Sequence, residues 1–193
     1  AITSKLSVNA NTGIYYQLPA YTVMGYKNSF TGEFENKNNN ISYIRSIHYV
    51  GGFEYLTKFN MKVSIEGFYK NFDNYPFLIN KGIPLSQVGT DFGFVGNEPV
   101  VSTSQGRSYG LEFFAQQKLF KGFHGLFTYT YVRSEFKGIN GKFKPSSWDN
   151  VHIINTTLGK TFAKNWEVGL KWRYSMGSPY TPYNISLSML RNN

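Results

Sequence analysis

From Arg107 to Phe136 the chain reads RSYGLEFFAQQKLFKGFHGLFTYTYVRSEF. Every second residue from Tyr109 gives Tyr109, Leu111, Phe113, Ala115, Gln117 and Leu119, and the residues between are Gly110, Glu112, Phe114, Gln116 and Lys118. A period of two belongs to a strand, whose successive side chains point to opposite faces, so this stretch predicts one greasy and one polar face. FKG then breaks the pattern, and Phe123, Phe127, Tyr129 and Tyr131 begin a second aromatic alternation.

The same reading along the chain predicts seven strands: Lys5 to Gln17, Tyr43 to Leu56, Met61 to Asn71, Tyr109 to Leu119, Phe123 to Glu135, Val151 to Phe162 and Trp166 to Gly177. The last alternates most cleanly, with Trp166, Val168, Leu170, Trp172, Tyr174 and Met176 against Glu167, Lys171, Arg173 and Ser175. The sixth alternates poorly, and its facing is open. An eighth strand from Pro182 to Leu190 is an option, and no segment carries a helical period.

The predicted connections are long, short, long, short, medium, short. The long ones are Asn-rich or Pro-interrupted: Leu18 to Ser42, and the irregular segment Phe72 to Gln105 with Pro76, Pro84 and Pro99. A transmembrane barrel confines its short turns to one side and its long loops to the other. The predicted strands also suit the ~9–11 residues that cross hydrocarbon at a tilt. No helix is available to cover the aromatic faces, whereas a closed barrel presents such faces to lipid. The expectation is an all-β, antiparallel up-and-down array of about seven or eight transmembrane β-barrel strands, with Trp166, Trp172, Tyr174, Tyr129 and Tyr131 at the lipid–water boundaries.

Composition fits that picture. Aromatics are 18% and charged residues 16% of 193 residues, and mean hydropathy is −0.35. The chain is thus aromatic and polar together, as strands with one wet face require. The formal charge of +9 comes from scattered Lys and Arg, several near turns. There is no zinc-finger spacing, basic helix or RNA-binding strand signature, which argues against nucleic acid. Zero cysteines remove disulfides and thiol chemistry. No apolar run approaches a membrane-spanning helix, and Ala1 to Ala10 does not read as a signal peptide.

Candidate chemistry is sparse. The nearest approach to a nucleophile–base pair is Ser147 with His152 and Asn155, in a barrel-embedded hydrolase reading. His48 and His124 read as wall residues without metal-ligand spacing. GFVGNEP and GINGKFK lack the strand–helix setting of a phosphate loop. No catalytic, metal or cofactor site is assigned. The charges on the polar faces say more. Lys62, Glu66, Lys70, Glu112, Glu167, Lys171 and Arg173 are candidates to face a wet lumen or a plug.

Several strings, in order, resemble the barrel domain of TonB-dependent outer-membrane receptors, especially those of Bacteroidetes-like bacteria: GIYYQLP, SIHYVGGFEY, IEGFYKNFDNYP, GRSYGLEFFAQQKL, FTYTYVRSEF and SPYTPY. The resemblance implies a 22-stranded barrel around an N-terminal plug, in the bacterial outer membrane. It implies import of a scarce nutrient, energised by the TonB system. Implied partners are outer-membrane lipid and lipopolysaccharide, the remainder of the receptor with its plug, and a small-molecule, glycan or peptide ligand. The chain shows no recognisable plug, TonB-contacting segment or terminal aromatic residue, and ends Arg191-Asn192-Asn193. The expectation is therefore one β-barrel segment over residues 1–193, internal or late in the barrel. The alternatives are a small stand-alone outer-membrane barrel and a soluble β-rich glycan-binding module. The loops Tyr21 to Asn40 and Phe72 to Gln105 are the expected binding surfaces.

Overall fold

The protein is described here from a computed structural model that covers residues 2–28, 30–35, 38, 40–89, 98–162 and 166–179. In chain order the elements are β1 (Leu6–Gln17), α1 (Tyr21–Met24), β2 (Tyr26–Lys27), β3 (Phe34–Glu35), β4 (Ile44–Leu56), β5 (Met61–Leu78), β6 (Ile83–Pro84), a 3-10 turn (Leu85–Gln87), β7 (Val100–Phe120), β8 (Phe123–Lys137), β9 (Phe143–Pro145), β10 (Val151–Phe162) and β11 (Trp166–Ser175).

Seven strands form the wall in the order β1-β4-β5-β7-β8-β10-β11, each antiparallel to its neighbours, with β6 beside β5 and β9 beside β8. Among the described residues, β1 and β11 pair on one side only, so the sheet is open. The predicted eighth strand, the turn at 163–165 and most of SPYTPY lie outside the described residues.

The connections between β4 and β5, and between β7 and β8, are short and share one end with the link from β10 to β11. The long connections share the other end. Lys121 and Gly122 sit at φ 51° and 76°, the paired left-handed conformation that joins two strands through a two-residue turn. Asn60, at φ 56°, gives the β4–β5 turn the same kind of bend.

The segment Phe72 to Gln105 departs from its predicted irregularity. β5 runs on to Leu78 and β7 begins at Val100, so the two strands rise well beyond the rest of the wall. Pro76 is tolerated there for two reasons. The β4 partner ends at the Arg45–Asp73 pair and β6 takes up that edge only at Phe77, leaving it unpaired at Pro76, and a bulge at Phe72/Tyr75 and Tyr75/Pro76 shifts the register. Asn74 takes the left-handed bulge conformation at φ 57°.

The wall has no core. The buried hydrophobic residues among those described are Val23, Leu78, Val100 and Phe136. Val23, Leu78 and Val100 pack with Ile41, Ile83 and Leu85 at the long-loop end. This small cap joins the first long loop to the β5–β7 extension. Asn38 fastens it, donating from Nδ2 to the carbonyls of Val23 (2.9 Å) and Glu98 (3.1 Å) and accepting from the Val100 amide (2.9 Å). A second polar knot ties the third long loop to β8. Asp149 accepts from the Ser134 amide at 2.7 Å, and Ser146 bonds Ser134 Oγ at 2.9 Å.

Candidate functional site

The strand register sorts the side chains onto two faces. Pairs such as Val8↔Phe53, Phe53↔Ile65, Ile65↔Phe113, Phe113↔Tyr129, Tyr129↔Ile154 and Ile154↔Tyr174 form one continuous row across all seven strands. Directly opposed residues share a face. Every apolar set predicted from the alternation falls on that face, and none of the described residues covers it. Phe53 is 57% exposed, Leu111 52% and Leu170 59%. An uncovered apolar surface of this extent is foreign to a monomer in water. The open question of the sixth strand is settled by the same register: Ile154, Leu158 and Phe162 lie on the apolar face, together with His152, Thr156 and Lys160.

The apolar surface is a band with two oblique limits. Its upper limit is a chain of charged pairs. Arg45 meets Asp73 at 3.4 Å, Arg107 meets Glu135 at 2.8 Å, and Arg133 meets Asp149 at 3.1 Å. His152, bonded through Nδ1 to the Tyr129 hydroxyl at 3.0 Å, continues it. Asn71 is opposite Arg107, and Tyr131 is opposite His152. The limit therefore descends three rows between β4 and β10. At ~3.3 Å per residue and ~4.8 Å between strands, six residues over four strand spacings make an angle of about 45°. The lower limit descends too. Met61 shares a row with Gln117, Gly125, Leu158 and Leu170; Phe123 with Lys160 and Val168 lies one row lower; Phe162 with Trp166 lies lower again. Four residues over four spacings make about 35°. If the two limits are level planes, the strands cross them at the ~35–45° tilt of membrane barrels. Along β11, Trp166 to Met176 spans a height of about 25 Å at that tilt, the height of a barrel's apolar band.

The other face carries all seven predicted charged residues. Glu66 is opposite Glu112, Lys62 opposite Gln116, and Lys70 lies between His48 and Ser108. Lys171 is opposite Thr157, Arg173 opposite Asn155, and Glu167 opposite Thr161. They are spread over the wall rather than gathered. Lys62 pairs with Glu54 at 2.7 Å, and Glu167 approaches His124 at 3.8 Å. The face is smoothed by rings over cross-strand glycines. A Cβ on Gly106 would collide with the Phe136 ring, one on Gly110 with Phe68 and the Tyr131 carbonyl, and one on Gly159 with His124. Tyr15 lies 4.5 Å from the His48 ring, and Ser46 Oγ is 3.1 Å from His48 Nε2.

The hydrolase constellation does not assemble. His152 is on the apolar face and Asn155 on the other, where it donates to Thr128 Oγ1 at 3.1 Å. Ser147 is buried and accepts from the Gly89 amide at 3.0 Å. His48 and His124 are wall residues, and among the described residues neither belongs to a group of three or more side chains that could hold a metal ion. Of the expected binding loops, Tyr21 to Asn40 and Phe72 to Gln105 stand together at the long-loop end through Asn38 and the Val23 cluster, as far as they are described. The alternation did not signal Asn38, Glu98, Ser146 or Asp149, the buried polar residues that hold this end together.

Several solved structures share this architecture. The alcaligin outer-membrane receptor FauA from Bordetella pertussis matches 92% of this chain at 14% identity with TM-score 0.56. The copper transporter OprC matches 89% at 13% identity with TM-score 0.60. The fold is that of a part of these proteins: the chain corresponds to 28% of the first and 24% of the second. No family model matches, and no curated protein matches by sequence. The expected Bacteroidetes-like character receives no support from these comparisons.

Proposed function

We propose that this chain is a wall segment of an outer-membrane active transporter of the TonB-dependent receptor type. Its apolar band meets lipid and lipopolysaccharide. Its polar face looks into the lumen of a larger barrel of 22 strands, toward a plug. The loops joined at the long-loop end face outward and take part in capturing a scarce nutrient. The observation that carries this reading is the oblique band: two independent limits, charged pairs above and turns below, slope the same way at a membrane barrel's tilt. Among the described residues, the one-sided pairing of β1 and β11 supports a segment over a closed small barrel. Open strand edges in hydrocarbon cost several kcal/mol per unmet group, so the rest of the barrel satisfies them. The similarity to an alcaligin receptor and a copper transporter supports import of a scarce solute. No catalytic step belongs to this reading.

Cysteine scanning tests it, because the chain has no cysteine of its own. In intact outer membranes, an impermeant maleimide should label K171C and R173C through the lumen and leave V168C and L170C unlabelled. In detergent-free aqueous extract all four would label if the protein were a soluble binding module. Loss of energy-dependent uptake of ferric siderophore, copper, cobalamin or oligosaccharide in a deletion strain, one probe at a time, would name the solute.

A further inference from the structure

The three long connections, 18–43, 79–99 and 138–150, meet on a turn of three residues, Leu85–Gln87. The Val88 amide closes the turn on the Leu85 carbonyl at 3.2 Å. A 3-10 turn has three residues per revolution, so its successive side chains point in three directions. Leu85 packs on the Val23, Leu78 and Val100 cluster, to which the first loop contributes Val23 and Ile41. The Ser86 carbonyl accepts from the Ser147 amide at 2.9 Å, and Gln87 Nε2 donates to the Lys144 carbonyl at 3.4 Å. Two more bonds join the second loop to the third. The Gly89 amide donates to Ser147 Oγ at 3.0 Å, and the Ile139 amide to the Gly82 carbonyl at 3.3 Å. Asn38 ties the first loop to the second at Glu98 and Val100.

The latch between the second and third loops carries two costs. Ser86 is fully buried, and its hydroxyl has no hydrogen-bond partner among the described residues. Val151, where the chain leaves the third loop, sits at φ 53°, a conformation that a β-branched residue avoids. Such strain persists only where the surroundings hold it. Once the Ser147 bonds open, both costs can relax. A few bonds thus hold the latched arrangement against a stored cost, as a two-state element requires.

We propose that the Leu85–Gln87 turn couples the three long loops, so that they latch and release as one unit and a solute held by one of them tightens the other two. From the reading above this takes only that these loops form the capture surface. The coupling itself needs neither lipid nor a plug. Coupling is reciprocal: whatever loosens the first loop loosens the third, and the converse holds.

Amide hydrogen exchange of the protein in micelles tests it residue by residue, with the β10 amides as the reference. Asn38→Ala should accelerate exchange at least tenfold at Val100, whose partner it removes, and at least threefold at Ser147 in the third loop. Ser147→Ala, which takes the acceptor from the Gly89 amide, should in turn accelerate Val100. In a Leu85→Ala background, Asn38→Ala should still act on Val100 and no longer on Ser147. Unchanged exchange at Ser147 in Asn38→Ala would overturn the coupling. An effect on Ser147 that survives Leu85→Ala would remove the turn from it, and equal acceleration of the β10 amides would show general loosening in place of a latch. Maleimide labelling of β11 is a separate readout, so the coupling and the membrane reading fail separately.

Discussion

Arg107 donates from Nε at 2.9 Å and from Nη2 at 2.8 Å to a single oxygen of Glu135, Oε2, across the β7–β8 pair. The second Glu135 oxygen lies 3.5 Å from Arg133 Nη2. One carboxylate thus holds two guanidinium groups at the edge of the apolar band, and the Arg107 guanidinium also lies 4.2 Å over the Phe143 ring of β9. Two rows below, the same face is Leu111 and Tyr131.

Glu135→Ala should therefore cost more than Arg107→Ala. Glu135 is the more buried partner, 13% exposed against 34%, and its loss strands Arg107 and leaves Arg133 with Asp149 alone. We expect about 2–3 kcal/mol for Glu135→Ala and about 1 kcal/mol or less for Arg107→Ala, by urea unfolding in micelles. Equal costs would show that the two cations find other partners.

Gly110 and Gly51 make a matched pair. A Cβ at Gly110 would run into the Tyr131 carbonyl and come within 2.9 Å of the Phe68 ring, whereas one at Gly51 meets only the Asn9 carbonyl at 3.8 Å. Gly110→Ala should destabilise the sheet by about 1–3 kcal/mol or more through overpacking, and Gly51→Ala should be neutral or mildly stabilising. Midpoints of unfolding for the two variants decide it, and a tolerated Gly110→Ala would mean that β7 and β8 can separate locally.

Asn38 makes its three cap hydrogen bonds to backbone groups as much as 62 residues away. Asn38→Ala leaves the Val100 amide and two carbonyls without that partner in a buried place, at a cost of about 1–3 kcal/mol. The loss should be local. Amide exchange at Val100 should accelerate at least tenfold while β10 exchange stays unchanged. Equal acceleration in both would show that cap and wall unfold as one unit.

The wall was legible in the sequence where one uncovered apolar face imposes a strict period of two. On β11 nothing interrupts it. On β10 three polar residues, His152, Thr156 and Lys160, share the apolar face and blur it, and two of them have a reason. Lys160 reaches down to the Lys121 carbonyl at 3.0 Å in the short turn, keeping its charge out of the band, and His152 bonds the Tyr129 hydroxyl at the upper limit. The stretch Phe72 to Gln105 read as irregular because Pro76 and Pro84 normally end pairing. A gap in pairing at Pro76 between the end of β4 and the start of β6, and a bulge, neither visible without the neighbouring strands, allow it to continue. The cap was not legible at all. Asn38 and Asp149 act on partners distant in sequence or in the next strand, and no periodicity announces a side chain that satisfies someone else's backbone.

Tyr75 gives a pH dependence. Burial raises its phenol from 10.0 to about 12, and its ring lies 4.4 Å from Phe136 at the long-loop end. The folded state holds the proton more tightly than the unfolded chain. Tyr75 therefore takes nothing from stability below about pH 10, and stability falls as pH rises from about 10 to about 12. Two pH units correspond to on the order of 2–3 kcal/mol. Tyr75→Phe keeps the ring contact and should remove this part of the alkaline loss. Identical unfolding curves for the two proteins between pH 10 and 12 would show that the phenolate is hydrated in place.

Leu170 decides what the apolar face meets. It stands mid-band, between Val168 and Trp172 on β11, and is 59% exposed, with Leu158 across from it and no other group among the described residues. If water surrounds that face, Leu170→Arg is a surface substitution and should change stability by no more than about 0.5 kcal/mol. If hydrocarbon surrounds it, the same arginine near the midplane should cost about 2–4 kcal/mol. Lys171→Leu, one residue along and on the opposite face, supplies the contrast. In a wet lumen it removes no apolar contact and should be close to neutral. Folding into vesicles, followed by reversible urea unfolding, measures both. We expect Leu170→Arg to fall in the higher range and Lys171→Leu near zero. A near-zero cost for Leu170→Arg would remove the membrane from the account, and a high cost for both would place β11 inside a protein interior rather than in a barrel wall.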